Sequence, residues 1–438
     1  MPTITRLNSQ DENFASQLQN LLAFETVTDK ALVATVDEII AQVRTKGDAA
    51  VLALTQQFDK HPAKTMDELF IGADQLKSAF DALDDEVKTA LELSAARIFA
   101  FHEYQKESGF RFVDALGNTL GQKVTPLDRV GIYVPGGLAS YPSSVLMNAI
   151  PAKVAGVGDI TMVVPAPNGE LNPLVLAAAH LAGVDTVITI GGAQAVAALA
   201  YGTDSIQAVD KITGPGNKYV AAAKRAVFGQ VGIDMIAGPS EVLVYAEGQA
   251  NDNADWIAMD LLSQAEHDTV AQAIFVTTSQ AQLEAVTQAI DAALARLPKA
   301  DIACQALLNR GALILVKDRT EAVAVINQVA PEHLELLLDE PELVEKDIRH
   351  AGAIFMGRYT PEAIGDYCAG SNHVLPTSGT ARFSSPLGVY DFTKKSSLIY
   401  CTQAGSQTLA KTADILAIQE NLKAHALSAR YRHQSKAN

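Results

Sequence analysis

Two short segments combine histidine with an amide or a carboxylate at spacings that could serve chemistry. In the first, Gln264 and His267 are three positions apart at the end of an apolar helical stretch, so both side chains share one helix face. A metal could use His267, although an amide oxygen is an unusual zinc ligand. The alternative is a histidine that stabilises a helix C-terminus, and spacing alone favours this alternative.

The second segment places Glu332 and His333 next to each other, directly after Pro331. A carboxylate beside an imidazole could provide two acid–base groups at a turn. Adjacent side chains normally diverge, so both can face one site only in irregular backbone. The alternative is a solvated helix start with proline at the first helical position and an acid in the first turn, and the pattern favours that alternative.

A glycine-punctuated loop at residues 365–376 concentrates Asp366, Cys368, Asn372 and His373. Catalytic residues tend to lie in such loops. Cys368 and His373 could form a nucleophilic pair, which would make the protein a cysteine acyl-transfer enzyme. Most lone cysteines are inert packing residues, however, so the loop by itself leaves both interpretations open.

Three glycine turns separate a predicted strand from the helix that follows it: Gly136-Gly137, Gly191-Gly192 and Gly214-Pro-Gly216. Free backbone N–H groups and the helix dipole can hold an anion at such turns. None of the three matches the GxGxxG or GxxxxGK[ST] fingerprint. Tight-turn geometry alone is the alternative for each, but three such turns on one sheet favour a nucleotide-sized ligand.

The elements that must position these residues alternate between strand and helix from residue 129 onward. Near-continuous apolar strands such as 130–134 and 241–245, each followed by a helix, indicate parallel sheets covered on both faces. Residues 1–110 are predicted to be almost wholly helical, and residues 110–124 to form a hairpin or sheet edge. In α/β folds of this kind, ligands bind at the carboxyl ends of the strands.

We therefore predict an α/β fold with two incomplete doubly wound, Rossmann-like domains, a helical N-terminal segment and a small C-terminal segment. The predicted boundaries are 1–128 for the helical segment, 129–237 and 238–381 for the two α/β domains, and 382–438 for the C-terminal segment. The last of these carries Glu420 and His425, and a histidine in a terminal helix is typically solvated. Being short, the segment is expected to pack on something else.

Composition narrows the class of protein further. The chain has 438 residues, of which 48% are hydrophobic and 19% charged, as expected of a globular protein with about two to four domains. Its net charge of −16 disfavours a nucleic-acid partner, because an acidic surface repels phosphates. Three cysteines without close spacing argue against a disulfide framework or a thiolate zinc cluster and indicate a reducing compartment, so we expect a cytoplasmic protein.

No membrane partner is expected either. The N-terminus is polar and has no apolar run of the signal-peptide type. Two long charge-free stretches, 131–152 and 186–203, are interrupted by proline or glycine. Both are better explained as strand, turn and helix.

Taken together, the motifs resemble those of the histidinol dehydrogenase family, in family order over essentially the whole chain. The matching segments are Val130–Gly137, Pro142–Met147, Gly191–Ala195, Gly214–Val220, Ile233–Glu241, Leu262–His267, Pro331–Glu335 and Asn372–Thr377. The series is highly specific, whereas the single motifs are not. One departure is Asn421, which follows Glu420 where the family usually has glycine.

The resemblance implies zinc- and NAD-dependent oxidation of L-histidinol through L-histidinal to L-histidine, the last step of histidine biosynthesis. It implies one zinc per subunit, and a homodimer whose C-terminal segment reaches the partner's site while part of the N-terminal segment completes the second α/β domain. The matching positions are Gln264, His267, Asp366 and His425 for zinc; Glu332 for water activation and His333 for the general base; Tyr133, Gln194 and Asn217 for NAD; and Ser240, His373 and Glu420, together with the zinc and catalytic positions, for substrate.

Three other functions stay open at this point. A paralogous dehydrogenase could use the same scaffold and chemistry on another small alcohol, although the match of His373 and Glu420 to substrate contacts favours histidinol. A cysteine acyl-transfer enzyme would use Cys368. A binding protein without catalysis is disfavoured by the intact Glu332–His333 pair.

Overall fold

The computed structural model describes residues 4–23, 30–136, 141–236, 238–248 and 252–433. Gly137, part of the first glycine turn, lies outside these ranges. The strands, in chain order, are β1 (Thr5–Asn8), β2 (Phe70–Ile71), β3 (Phe110–Val113), β4 (Thr119–Pro126), β5 (Arg129–Tyr133), β6 (Asp159–Val163), β7 (Thr186–Ile188), β8 (Lys211–Thr213), β9 (Gly232–Ile233), β10 (Glu241–Ala246), β11 (Gln272–Thr277), β12 (Ala312–Leu315), β13 (His333–Leu337), β14 (Ala353–Met356) and β15 (Thr393–Tyr400).

Helices connect most of these strands. In chain order they are α1 (Phe14–Leu22), α2 (Lys30–Lys46), α3 (Asp48–Asp59), α4 (Ala73–Asp81), α5 (Asp85–Glu103), α6 (Pro142–Ala155), α7 (Pro173–Ala182), α8 (Gly192–Tyr201), α9 (Lys218–Val227), α10 (Ala254–Ala265), α11 (Gln280–Leu294), α12 (Ala300–Arg310), α13 (Arg319–Val329), α14 (Glu342–Glu345), α15 (Glu362–Ile364), α16 (Gln403–Gln419) and α17 (Lys423–His433). A π-helical turn at Gly365–Ala369 follows α15 directly.

Sheet I is the first of two α/β sheets and has the strand order β2-β7-β6-β5-β8-β9. Its strands run parallel except β2, which pairs antiparallel with β7 at one edge. Strand β5 places Val130 and Ile132 in the core that contains α6 and α7, and Tyr133 in the opposite core with α2 and α8. This alternation buries both faces of the sheet, as an apolar parallel strand requires.

Sheet II has the strand order β1-β12-β11-β10-β13-β14, and all of its strands are parallel. Strand β10 directs Val242 and Val244 toward α10 and α11, and Leu243 and Tyr245 toward the core that contains α13. Both sheets lie in one compact unit, residues Met1–Gln105 and Leu127–Phe392. The predicted α/β class is therefore confirmed.

A second compact unit comprises Lys106–Pro126 and Thr393–Asn438. In it, β3 and β4 form the predicted hairpin, and β15 pairs antiparallel with β4. Helix α16 ends in a Schellman motif, in which Leu422 N–H donates to the Ala417 carbonyl and Asn421 N–H to the Ile418 carbonyl. Asn421 has φ of 60°, a left-handed conformation that glycine and asparagine tolerate best, so this asparagine occupies a position suited to glycine.

Some sequence-based expectations need correction. The segment 1–110 is mostly helical, but β1 pairs with β12 at the edge of sheet II and β2 joins sheet I. Their short length and their mixed patterns concealed both strands. Helix α12 and strand β13 were also missed. None of the described helices is long and apolar enough to cross a membrane.

Candidate active site

Buried polar side chains converge at the edge of sheet II where its strands begin. Ser240 and Glu241 lie at the start of β10, and Glu332 and His333 at the start of β13. Gln264 is the second-to-last residue of α10, the helix that precedes β11. We call this group of residues the amino-edge cluster. It lies at the end of the strands opposite to the one expected from the general rule for α/β folds.

The favoured interpretation of Pro331 and Glu332 as a solvated helix start is wrong. Glu332 and His333 are 6% and 4% exposed, and His333 is the first residue of a central strand rather than part of a helix. Neighbouring chain segments bring the two side chains together: Glu332 Oε2 accepts a hydrogen bond from Glu241 N–H at 2.9 Å and lies 3.7 Å from His333 Nδ1. The alternative of two acid–base groups at one site fits this geometry.

Two contacts at His333 Nδ1 bear on the tautomer of the neutral ring. Nδ1 lies 2.9 Å from the Glu241 carbonyl oxygen, which can only accept, and 3.2 Å from Gln264 Nε2, which can only donate; we assign the proton to Nδ1 from the shorter contact. In the described part of the chain, Nε2 has no hydrogen-bond partner, and it lies 3.6 Å from Asp366 Oδ1. A neutral His333 therefore presents the lone pair of Nε2, the atom suited to accept a proton.

Glu362 is a member of the cluster that the sequence analysis missed. Gln264 Nε2 donates to Glu362 Oε1 at 3.1 Å, which directs the amide oxygen of Gln264 away from Glu362. That oxygen is buried and unpartnered among the described atoms. His333, Glu362 and Asp366 each offer a ligand atom within 4.8 Å of the other two, a group that could hold a metal ion. The four-residue spacing of Glu362 and Asp366 on a helical stretch was an available signal.

The π-helical turn positions Asp366. It starts at Gly365, where an added Cβ would lie 2.3 Å from a ring carbon of Phe355, so only glycine lets the turn approach β14 this closely. π-Helical turns occur frequently at functional sites. The Asp366 carbonyl contacts His373 Nδ1 at 3.0 Å, so the turn also positions this histidine.

The cluster carries more carboxyl groups than a buried site can keep ionised. Burial raises the pKa of Glu332 to about 8 and that of Glu362 to about 7. Burial also raises the pKa of Asp260 to about 6, and that of its neighbour Glu335 well above the usual value. Burial opposes the charge on His333, but Glu362, Glu332 and Asp366 raise its pKa well above the ordinary value. This electrostatic environment favours a bound cation.

Asp366 is the exception among these carboxyl groups. Burial acts to raise the pKa of Asp366, but the pKa is lowered overall, mainly because of the neighbouring His333. Burial lowers the pKa of His267, although the Asp366 carboxylate acts to raise it. Asp366 thus stays ionised while His267 stays neutral, and these are the forms in which both residues bind metals.

Sheet I presents its predicted cofactor residues at the opposite edge, where its strands end. Tyr133 ends β5, Gln194 lies in the first turn of α8, and Asn217 caps α9 by accepting from Tyr219 N–H and Val220 N–H. The Tyr133 hydroxyl accepts from Gly192 N–H at 3.0 Å, and burial raises its pKa to about 12. Gln194 is 1% exposed, and neither polar side-chain atom has a partner within the described ranges.

These residues surround the topological switch point of sheet I. From β5 the chain proceeds to β6 and β7 on one side, then returns through α8 to β8 on the other side. Dinucleotides bind outside the carboxyl ends of the strands at such a point. We call this group, Tyr133, Gln194, Gly214 and Asn217, the carboxyl-edge group. The loop at residues 365–376 contacts the helix that follows β5, where His373 Nε2 lies 3.5 Å from Ser144 Oγ of α6.

Comparisons with known proteins identify the family. A family model described as histidinol dehydrogenase matches residues 23–433. Histidinol dehydrogenase from Acinetobacter baylyi is 73% identical over 98% of this chain and 99% of its own, and that from Psychrobacter arcticus is 72% identical over 98% and 100%. The crystal structure of histidinol dehydrogenase from Elizabethkingia anophelis superposes with a TM-score of 0.92 at 34% identity, covering 99% of this chain and 98% of that one.

The chain belongs to the histidinol dehydrogenase family. It is therefore an oxidoreductase of histidine biosynthesis. Of the positions matched to the family's zinc ligands, Gln264, His267 and Asp366 lie in the first compact unit, whereas His425 lies in the second, as does Glu420. Ser240 is half-buried at the start of β10.

The family assignment leaves Cys368 without a catalytic role. Cys368 is the fourth residue of the π-helical turn, and its carbonyl accepts a hydrogen bond from Arg97 Nε at 2.7 Å. His373 contacts the Asp366 carbonyl and Ser144, and no hydrogen bond joins it to Cys368 in the described residues. The interpretation of Cys368 as a packing residue fits this position.

Proposed function

We propose that the protein catalyses the zinc- and NAD-dependent four-electron oxidation of L-histidinol, through L-histidinal, to L-histidine. Family membership supports the substrate, and the carrying observation is the buried Glu332–His333 pair at the start of β13. A dinucleotide bound at the carboxyl-edge group would have to extend its reactive ring to a substrate held at the amino-edge cluster. Two bases in one site suit two successive oxidations.

The residues of the amino-edge cluster fit a zinc ion. The unpartnered amide oxygen of Gln264, the ionised Asp366 and the neutral His267 are three donors, and the surplus of buried carboxyl groups favours a divalent cation. His425 supplies the fourth ligand in this proposal. Zinc would orient the imidazole and amino nitrogens of the substrate, a role that does not require lowering the pKa of a bound water and so tolerates an amide ligand.

His333 serves the first oxidation. Its Nε2 is placed to accept the hydroxyl proton of the substrate, and NAD⁺, when bound, would supply the acceptor for the hydride of the carbinol carbon, which would give the aldehyde and one NADH. A divalent cation held by Asp366 would disfavour a second positive charge on His333, whose Nε2 lies 3.6 Å from Asp366 Oδ1, because like charges this close repel. A bound metal would therefore favour the neutral ring, whose Nε2 can act as a base.

Glu332 serves the second oxidation. Its buried carboxylate removes a proton from the water that adds to the aldehyde, and the resulting hydrate gives up a second hydride to a second NAD⁺. Burial raises the pKa of Glu332 to about 8, so its ionised form, which a bound cation would favour, is a stronger base than a solvated carboxylate. One histidinol, one water and two NAD⁺ would thus yield one histidine, two NADH and protons released to solvent.

The proposal includes a cytoplasmic homodimer with one zinc per subunit, in which Glu420 and His425 complete the partner's site. Mixed dimers test this sharing directly. A dimer of one His333→Asn chain and one His425→Ala chain retains one intact site only if the C-terminal segment serves the partner. Activity recovered on mixing the two inactive variants supports sharing, and no recovery in a verified heterodimer contradicts it.

The deciding experiment for the function is NADH formation from L-histidinol by purified protein, before and after chelation. We expect two NADH per histidinol, loss of activity after chelation and recovery with zinc. Glu332→Gln should release L-histidinal and yield about one NADH per histidinol, since the water-activating base is lost, with the second step slowed about 10²-fold. Turnover of another small alcohol, but not of L-histidinol, would point to a paralogous dehydrogenase.

A further inference from the structure

A buried lysine–aspartate pair forms hydrogen bonds with both the backbone N–H and the backbone carbonyl of one glycine residue in the carboxyl-edge group. Gly214 N–H donates to Asp234 Oδ2 at 2.8 Å, and Lys224 Nζ donates to the Gly214 carbonyl at 2.9 Å. Lys224 and Asp234 also pair with each other, and their side chains are 4% and 2% exposed. These hydrogen bonds connect three parts of the chain at Gly214: the end of β8, helix α9 and the segment after β9.

Both the backbone conformation at position 214 and the space around it require glycine. Its φ is 106°, and an added Cβ would lie 2.0 Å from the Tyr133 carbonyl oxygen. Gly214 therefore lies directly against the end of β5, at the switch point of sheet I. A residue in this conformation needs hydrogen-bond partners in fixed positions for its backbone N–H and its carbonyl.

The turn held in this way leads into the residues proposed to bind NAD. Gly214 is followed by Pro215, Gly216 and the α9 cap Asn217. Thr213 precedes it, fully buried, and its hydroxyl has no partner among the described residues. The buried Thr213 hydroxyl thus lies directly beside the turn. Burying an ion pair is costly, and an apolar pair of similar volume would serve stability at least as well.

We infer that Lys224 and Asp234 are positioning residues for the dinucleotide: they hold the Gly214 peptide so that the turn and Asn217 meet NAD. Neither side chain contacts the cofactor itself. The inference rests on the proposed NAD-dependent activity and assigns to this pair the geometry of its cofactor site. It predicts an effect on NAD binding that is separate from histidinol and zinc binding.

The test compares two neutralised ion pairs of sheet I. Lys224→Met/Asp234→Asn removes the donor to the Gly214 carbonyl and both charges. Lys211→Met/Asp391→Asn is the matched control, because Lys211 lies in the same strand, β8, and pairs with Asp391 at 2.9 Å without a hydrogen bond to Gly214 among the described contacts. Both variants are assayed as zinc-loaded full-length enzyme, with melting temperature as the folding check.

We expect the first variant to bind NADH about tenfold more weakly by fluorescence titration, as the loss of a buried hydrogen bond to a charged group predicts. The KM for NAD should rise by a similar factor, with kcat, the KM for L-histidinol and zinc content unchanged. The control should bind NADH as the parent chain does. Equal NADH affinity in the first variant, or equal losses in both, overturns the inference.

A second variant covers a failure to fold. Asp234→Asn alone keeps an acceptor for Gly214 N–H but removes the charge that holds Lys224, and we expect NADH binding about threefold weaker. Unchanged affinity in this variant overturns the inference. If the parent chain itself fails to bind NADH, the proposed function fails, independently of what the pair does.

Discussion

The two α/β sheets use opposite edges. In sheet I the candidate cofactor residues lie where the strands end and helices begin, as with Asn217 at the start of α9. In sheet II the candidate catalytic and metal-binding residues lie where strands begin and helices end, as with Gln264 and His267 around the end of α10. The same architecture thus offers two electrostatically different edges.

Helix dipoles explain the difference. Helix N-termini carry partial positive charge and unsatisfied N–H groups, so the carboxyl edge of sheet I suits the pyrophosphate of a dinucleotide. Helix C-termini carry partial negative charge, so the amino edge of sheet II suits a metal ion and a cationic amino alcohol. The buried carboxyl groups of the amino-edge cluster act in the same direction. A redox enzyme with an anionic cofactor and a cationic substrate can therefore use both edges.

The largest predicted effect is at the amino edge. His333→Asn removes the proposed general base but retains a hydrogen-bonding side chain, so kcat with L-histidinol should fall about 10³-fold. NADH affinity should stay at the parent value, because the carboxyl edge is untouched. Steady-state kinetics and NADH titration measure the two quantities. A variant that keeps more than about a tenth of the parent kcat would exclude His333 as the base.

The carboxyl edge should respond in the opposite way. Gln194→Ala removes a buried amide with two unpartnered atoms, so the KM for NAD should rise about tenfold while the KM for L-histidinol stays unchanged. Gln282→Ala is a control for the loss of a buried glutamine in sheet II, where Gln282 accepts from Thr277. A shift in the KM for L-histidinol alone would show that the assignment of the two edges is reversed.

A pH-dependent effect on stability is expected where Asn372 contacts helices α5 and α6. Asn372 donates to the Met147 carbonyl of α6 and contacts His102 of α5 at 3.4 Å. Burial lowers the pKa of His102, so the unfolded chain binds its proton first and stability decreases as pH falls below about 6.5. His102→Gln should lose less unfolding free energy than the parent chain between pH 7 and pH 5. Equal pH dependence in denaturant titrations would refute this role.

The smallest effect is expected in the second compact unit, outside both edges. Asn421→Ala forces a residue with a Cβ and no helpful polar group into a left-handed conformation, which should cost about 1 kcal/mol of unfolding free energy. Asn421→Gly is the matched control and should be at least as stable as the parent chain. Thermal unfolding compares the three chains. An alanine variant as stable as the glycine variant would argue against the Schellman motif.

The sequence alone indicated the fold class well because apolar strands and helices alternate from β5 onward. It located β5 and β10 within a residue, since a continuous apolar run is a local signal. It failed at β13, where proline, glutamate and histidine resemble a helix start. It also failed at β1 and β2, because a short edge strand is stabilised by its neighbours in the sheet.

The motifs, taken in chain order, were enough to imply a dehydrogenase of one family, and the comparisons confirmed that family. Which groups come into contact depended on the tertiary structure. Glu362 joined the cluster, the functional edge of sheet II proved to be the amino edge, and Lys224 and Asp234 closed on Gly214. These contacts join residues distant in the chain or set by the path of the backbone, and burial then shifts their protonation, so neither spacing nor composition contains them.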